Sequence, residues 1–160
     1  MTHTGLKIYV ASSWRNMQQP RVVEVLRGLG FDVYDFKNPE PGDDGFSWRE
    51  IDPNWRDWTT EQYREALEHP IAQHGFGLDM RALKSADLCV LVLPSGRSAS
   101  FEFGLHRGRT GRNGVVYIPD GIACEPELMY SGALIAANEG ELVEFVARQA
   151  AEVTAPLSDD

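Results

Sequence analysis

Apolar residues come in short runs, and the runs alternate between strand and helix spacing. Residues 6–11 form a compact apolar segment of strand length. Ser12, Ser13 and Asn16 follow it and suit a turn or a helix start. Over residues 20–29, Val22, Val23, Val25, Leu26 and Leu29 recur at mostly helical spacing, and Gly30 is placed as a C-terminal cap. Residues 31–36 read as a second strand. The opening stretch is therefore a β-α-β unit with short joints.

Residues 37–59 break this rhythm. They hold Pro39, Pro41, Gly42, Gly45 and Pro53 beside Trp48, Trp55 and Trp58, three of the chain's 4 tryptophans. Proline and glycine point to a loop, while the aromatics say that the loop packs on something. The expectation is a long ordered insertion over a cleft. Its tryptophans serve either as a lid on a ligand or as anchors on the core.

Thr59 or Thr60 can cap a helix running to Glu68, with Glu61 and Glu65 favourably near its start. Pro70 marks a break. A helix over 71–84 follows, weakened in its first half by Gly75 and Gly77. Residues 87–93 are the clearest strand, because Leu88 to Leu93 are apolar without interruption. Such a strand is buried on both faces, as in a parallel sheet. The pattern then predicts a loop at 94–98, a helix at 99–108 and a strand at 115–118. Beyond these come a helical turn at 126–130, a weaker strand at 134–137, a helix at 139–153 and a frayed tail at 154–160. The whole chain, 1–160, reads as one α/β domain: a five-stranded parallel sheet with helices on both faces, a three-layer sandwich. Ligands of such sheets collect at the carboxyl ends of the strands. Those ends are residues 11–16, the stretch from Phe36, and residues 94–100 and 119–125.

Composition narrows the function classes. A hydrophobic fraction of 42% and a charged fraction of 24% rule out disorder of the whole chain. The net charge of -9 argues against a nucleic-acid polymer as partner. It leaves a small anionic ligand open, because a local site can oppose the net field. Cys89 and Cys124 make no disulfide framework and read as reduced thiols of a cytoplasmic protein. No apolar stretch reaches the length of a membrane span, and the N-terminus lacks a signal-peptide pattern.

The loop 94–100 carries the densest chemistry. Gly96 lets backbone amides approach a ligand, Ser95, Ser98 and Ser100 offer hydroxyls, and Arg97 a guanidinium. A helix N-terminus adds partial positive charge. Together they suit a phosphate; the bland reading is a polar turn with a serine cap. Glu102 follows, one turn into the helix, where a carboxylate stays anionic and ready as a nucleophile. It stands among Phe101, Phe103 and Leu105 rather than in a charged run. Asp79 lies on the helix before the buried strand, where spacing alone favours a solvent-facing acid. Tyr9 lies inside the first strand and reads on its own as a core aromatic. Arg15 follows that strand in the ligand-facing loop. There is no P-loop, no dinucleotide glycine fingerprint and no complete nucleophile elbow. The histidines share no metal-ligand spacing with the cysteines. No metal and no cofactor are expected.

Three segments, in this order and spacing, resemble the nucleoside 2-deoxyribosyltransferase-like superfamily. They are Ile8-Tyr9-Val10-Ala11-Ser12-Ser13-Trp14-Arg15, the Asp79 segment leading into the buried strand, and Ser-Gly-Arg-Ser-Ala-Ser-Phe-Glu-Phe-Gly. The resemblance covers most of the chain outside the tryptophan-rich stretch. It implies a flavodoxin-like fold and cleavage of the N-glycosidic bond of nucleosides or nucleotides. It makes Glu102 the nucleophile, Asp79 the acid that serves the base, and Tyr9 the residue that orients the nucleophile. Asp79 is then expected to hold its proton beside an ionised Glu102. The family's transferases carry an acid shortly before the nucleophile; here Gly96-Arg97-Ser98 has none. The serines and arginine instead look like the nucleoside 5′-monophosphate N-glycosidase branch, whose first loop Ser13 and Arg15 also resemble. The resemblance also implies a homodimer or higher homo-oligomer, with residues 125–131 as a place for a neighbour's contribution. Base exchange, nicotinamide-dinucleotide cleavage and a non-catalytic nucleotide sensor remain as other readings.

Overall fold

Five strands, all parallel, make one sheet. They are β1 (Lys7–Ser12), β2 (Asp32–Tyr34), β3 (Leu88–Val92), β4 (Val115–Tyr117) and β5 (Leu134–Ala136), in the order β2-β1-β3-β4-β5. The structure is a computed structural model and describes residues 5–155. Five helices accompany the strands: α1 (Gln19–Gly28), α2 (Thr60–Leu67), α3 (Pro70–Ser85), α4 (Arg97–Thr110) and α5 (Glu139–Thr154). By contact the chain divides into two compact units. One holds the chain up to Tyr34 and again from Ser85; the other is Asp35–Lys84.

The first unit is the expected three-layer α/β sandwich, with the strand order of flavodoxin-like sheets. β3 lies at its centre, and none of its five residues is more than 1% exposed. That burial on both faces is what an unbroken apolar run demands. One face, with Ile8, Val10, Leu88, Val90 and Val92, packs with Val22, Val23 and Leu26 of α1 and Leu142, Val146 and Ala150 of α5. Each such side chain taken from water contributes about 1.5–3 kcal/mol. α4 covers the other face against β1 and β3. α5 begins where the Asn138 side chain accepts the Glu141 amide at 2.9 Å.

The second unit is the tryptophan-rich stretch with two helices. Residues 37–59 carry two short 3-10 turns, Trp48–Glu50 and Trp55–Asp57, rather than loop throughout. Trp48 is the hub of an aromatic cluster: its ring meets Phe46 at 4.7 Å, Trp58 at 5.6 Å and Tyr63 of α2 at 5.8 Å between centroids. The Trp58 indole donates to Asp52 at 2.6 Å. That bond and the Asn54 amide hold the Asp52 carboxyl below its ordinary range, the amide being the larger cause. Trp48 and Trp58 are therefore spent on packing their own unit. Thr59 caps α2 in a reciprocal capping box with Gln62.

Several element edges differ from the expected ones. α4 starts at Arg97, two residues early, because Gly96 in extended backbone caps it and no serine side chain does so. α3 starts at Pro70 itself, since a proline in the first turn lacks only an amide that has no helical partner. Gly75 suits the middle of α3 because a Cβ there would stand 3.0 Å from Phe46. β2 ends at Tyr34, as the Asp35 carboxylate folds the next residues into a turn through the Lys37 and Asn38 nitrogens. The helical turn expected at 126–130 is the 3-10 segment Leu128–Gly132. Thr154 closes α5, and the rest of the expected tail, beyond residue 155, lies outside the described residues. Among the described residues no helix is long and apolar enough to cross a membrane.

Two consequences can be measured. Gly114 has φ +71°, and a Cβ would fall 2.5 Å from the Phe103 ring. Gly114→Ala should therefore cost roughly 2–3 kcal/mol in urea denaturation, from backbone strain and overpacking together. His106 is fully buried on α4, with Nε2 3.1 Å from the Ala86 carbonyl. Burial lowers its pKa, a shift only partly opposed by that hydrogen bond. The unfolded chain then binds the proton more readily, so stability should fall as pH drops through about 6.5. His106→Gln should flatten that slope.

Candidate functional site

The sheet order puts β1 next to β3, and their following helices lie on opposite faces. α1 covers one face and α4 the other. The chain therefore splays apart beyond the carboxyl ends of β1 and β3, and this is where such sheets open a crevice. The loop after β1 carries Ser13 and Arg15; the loop after β3 carries Ser95 and Gly96.

Asn16 ties these two loops together. It is 1% exposed. Its amide nitrogen donates to Ser12 Oγ at 2.8 Å, to the Val92 carbonyl at 3.2 Å and to the Pro94 carbonyl at 3.2 Å. Its oxygen accepts the Gln18 amide at 2.8 Å, just before α1. The Ser12 hydroxyl donates to the Val92 carbonyl at 2.8 Å. Buried polar groups must be paired, and here the pairing joins both loop origins and the cis Leu93–Pro94 peptide. By its residue type alone Asn16 suits a turn. Nothing in a single sequence marks a polar loop residue as buried.

Tyr9 lies in β1 at 1% exposure, and its ring stacks on Tyr34 of β2 at 5.4 Å between centroids. In register it faces Cys89 of β3, so the two side chains share a sheet face. Glu102 acts on that same face. The Cys89 thiol is pushed well above its ordinary range, chiefly by burial and secondly by the negative charge of Glu102. The structure thus brings Tyr9 and Glu102 to the α4 side of the sheet, with Cys89 as the landmark between strands. Asp79 is a partly buried residue of α3, in the second unit.

At the loop ends, Ser13 Oγ accepts the Arg15 amide at 3.2 Å, which leaves the Arg15 side chain exposed. Arg97 and Ser98 stand in the first turn of α4 and are exposed, not in a loop as expected. Ser100 follows in the second turn, its hydroxyl 3.5 Å from those of Ser95 and Tyr130. No side chain caps α4, and its first turn holds no acid. The first amides of α4 therefore face outward with the positive end of the helix.

A cleft of about 750 Å³ opens on the other flank of α4. Ser95, Gly96, Arg97 and Ser100 form one rim; Arg107, Arg112, Glu125, Glu127 and Tyr130 continue it. Glu102 does not line it. With about 100° between successive helical residues, Glu102 projects nearly opposite to Ser100 and Gly104. Large volume here does not coincide with the carboxylate, and the residue chemistry is the better guide to a reaction site. Arg107 braces the cleft: it donates to the Met129 carbonyl at 3.2 Å and lies over the Phe103 ring at 5.8 Å.

No family model matches the sequence, and no curated protein matches it. A solved structure does. It is that of a 2-deoxyribosyltransferase from Bacillus psychrosaccharolyticus, with a TM-score of 0.52 and 22% identity over 89% of this chain and 95% of that one. The likeness is one of fold.

The Asn16 knot sets a test. Asn16→Ala leaves the Pro94 carbonyl and the Gln18 amide without this partner and the Val92 carbonyl with only the Ser12 hydroxyl, and should cost about 1–3 kcal/mol of stability. Asn16→Asp places an acceptor against those carbonyls and should be at least as harmful at neutral pH. The buried acid would hold its proton more tightly than in the unfolded chain, so its deficit should shrink as pH is lowered toward about 4. Urea denaturation at a series of pH values checks both.

Proposed function

We propose that the chain hydrolyses the N-glycosidic bond of a nucleoside 5′-monophosphate through Glu102. The observation that carries this reading is the convergence of Tyr9 and the Glu102 charge on one sheet face, at the strand ends where α4 presents an uncapped first turn. The sheet order and the fold likeness to a 2-deoxyribosyltransferase support it.

In this mechanism the phosphate sits against the first amides of α4, with Ser95, Gly96, Arg97 and Ser98 and with Ser13 and Arg15 from the β1 loop; Ser100, which projects nearly opposite to Glu102, stays outside this set. Amides, hydroxyls and guanidinium groups are the donors a phosphate needs. The Glu102 carboxylate attacks the anomeric carbon. The carbon–nitrogen bond breaks, its electron pair leaves with the base, and the base takes up a proton from a general acid, the role that the family resemblance gives to Asp79. A glycosyl ester on Glu102 remains. Water then attacks the anomeric carbon, gives its proton to the conjugate base of that acid, and sugar phosphate departs as Glu102 is regenerated. Tyr9 keeps the nucleophile oriented. A free base attacking the same ester, in place of water, gives base exchange, the activity named for the structural neighbour. The absence of an acid in Gly96-Arg97-Ser98 favours water. Phe101, 73% exposed on α4, and the exposed Leu128 and Met129 supply apolar surface for the proposed homodimer.

Purified protein incubated with a panel of ribo- and deoxyribonucleotides should release free base and sugar phosphate, resolved by chromatography. Glu102→Ala should lower kcat about a thousandfold or more, while Arg15→Ala should mainly raise KM for nucleotides over nucleosides. A second free base in the mixture reveals exchange as a new nucleoside. No base release from any member, or full activity in Glu102→Ala, sinks the proposal.

A further inference from the structure

In the second unit, Glu40, Asp43 and His74 bring one donor atom each to within 4.8 Å of one another. We infer that these three residues form a binding site for a first-row divalent cation of the zinc class, clipping the 40–43 turn to α3.

The donors come from two separate stretches of chain, a turn and a helix. The turn is closed by the Asp43 amide on the Glu40 carbonyl at 3.0 Å. Asp43 Oδ1 accepts the Gly45 amide at 2.8 Å, which aims the other oxygen, Oδ2, at His74 Nε2. The approach of turn to helix is set next door, where Phe46 packs on Gly75 closely enough that a Cβ would touch it at 3.0 Å. Packing thus holds the backbone of the turn against the helix, while the His74 side chain stays 60% exposed and open to an ion from solvent.

The spacing suits a shared ion better than a direct bond. His74 Nε2 and Asp43 Oδ2 stand 3.6 Å apart, too long for a good hydrogen bond. Two donors on one tetrahedral zinc, at about 2.0–2.1 Å each, stand roughly 3.3 Å apart. Glu40 is exposed and has the side-chain freedom to close the remaining distance. One imidazole with two carboxylates is a borderline donor set. It suits Zn(II) or Co(II), whereas Ca(II) and Mg(II) prefer all-oxygen shells. Three protein ligands leave a fourth position for water. No ligand spacing in the sequence joins His74 to Glu40 and Asp43, because more than 30 residues separate them.

The test does not depend on the proposed reaction. Chelator-treated protein is titrated with Zn(II) while thermal unfolding is followed, and with Co(II) while visible absorption is followed. Saturating Zn(II) should raise Tm by roughly 5 °C, as expected for a ligand at about 100 times its Kd. Co(II) should give the visible bands of a low-coordinate site. His74→Ala and Asp43→Asn should each weaken binding at least tenfold, and Glu40→Gln should weaken it as well. Asp120→Asn, in the other unit, should leave it unchanged. The metal-free Tm of His74→Ala should match that of the metal-free parent, which separates lost binding from lost folding. No response to Zn(II) below about 1 mM, or an undiminished response in both His74→Ala and Asp43→Asn, overturns the inference.

Discussion

Two loops leave neighbouring parallel strands at the same sheet edge, and their first backbone groups lie partly out of reach of water. Asn16 resolves that constraint with one side chain. Its amide satisfies the Val92 and Pro94 carbonyls and its oxygen satisfies the Gln18 amide. An apolar residue would leave the Pro94 carbonyl and the Gln18 amide without this partner, and a carboxylate would face the carbonyl dipoles. The carboxyl edge of the sheet thus has a fixed geometry before any ligand arrives. Whatever the β1 and β3 loops bind meets donors whose positions are already set. Preorganisation of this kind reduces what a ligand must spend on ordering the protein.

The sheet was legible because its signal is strong and local. Residues 88–93 are apolar without interruption, and only a strand covered on both sides accommodates that. The edges of elements were less legible where a side chain substitutes for the pattern. Gly96 took the cap expected of a serine, and Asp35 stopped β2 through two nitrogens that no periodicity reveals. The candidate site was half legible. Loop position picked out Ser13, Arg15 and residues 95–100, and the family resemblance picked out Tyr9, Asp79 and Glu102. Asn16, the Tyr34 ring on Tyr9 and the Cys89 landmark were not, because each acts through a contact far along the chain.

The tryptophans show how composition can leave purpose open. Three in one stretch suit either a lid on a ligand or an anchor for a long loop. Trp48 gathers Phe46, Trp58 and Tyr63 around itself, which is the anchoring use within its own unit. The second unit has its own reasons for stability, and a clipped turn would add another. Its α3 carries both His74 and Asp79.

Both outer strands of the sheet, Asp32–Tyr34 and Leu134–Ala136, are only three residues long. Each offers only a short edge, and on the first of them the Arg27 guanidinium already donates to the Val33 carbonyl at 2.9 Å, which leaves too little to template a strand from another molecule. Fibrillar growth by edge pairing is thereby disfavoured.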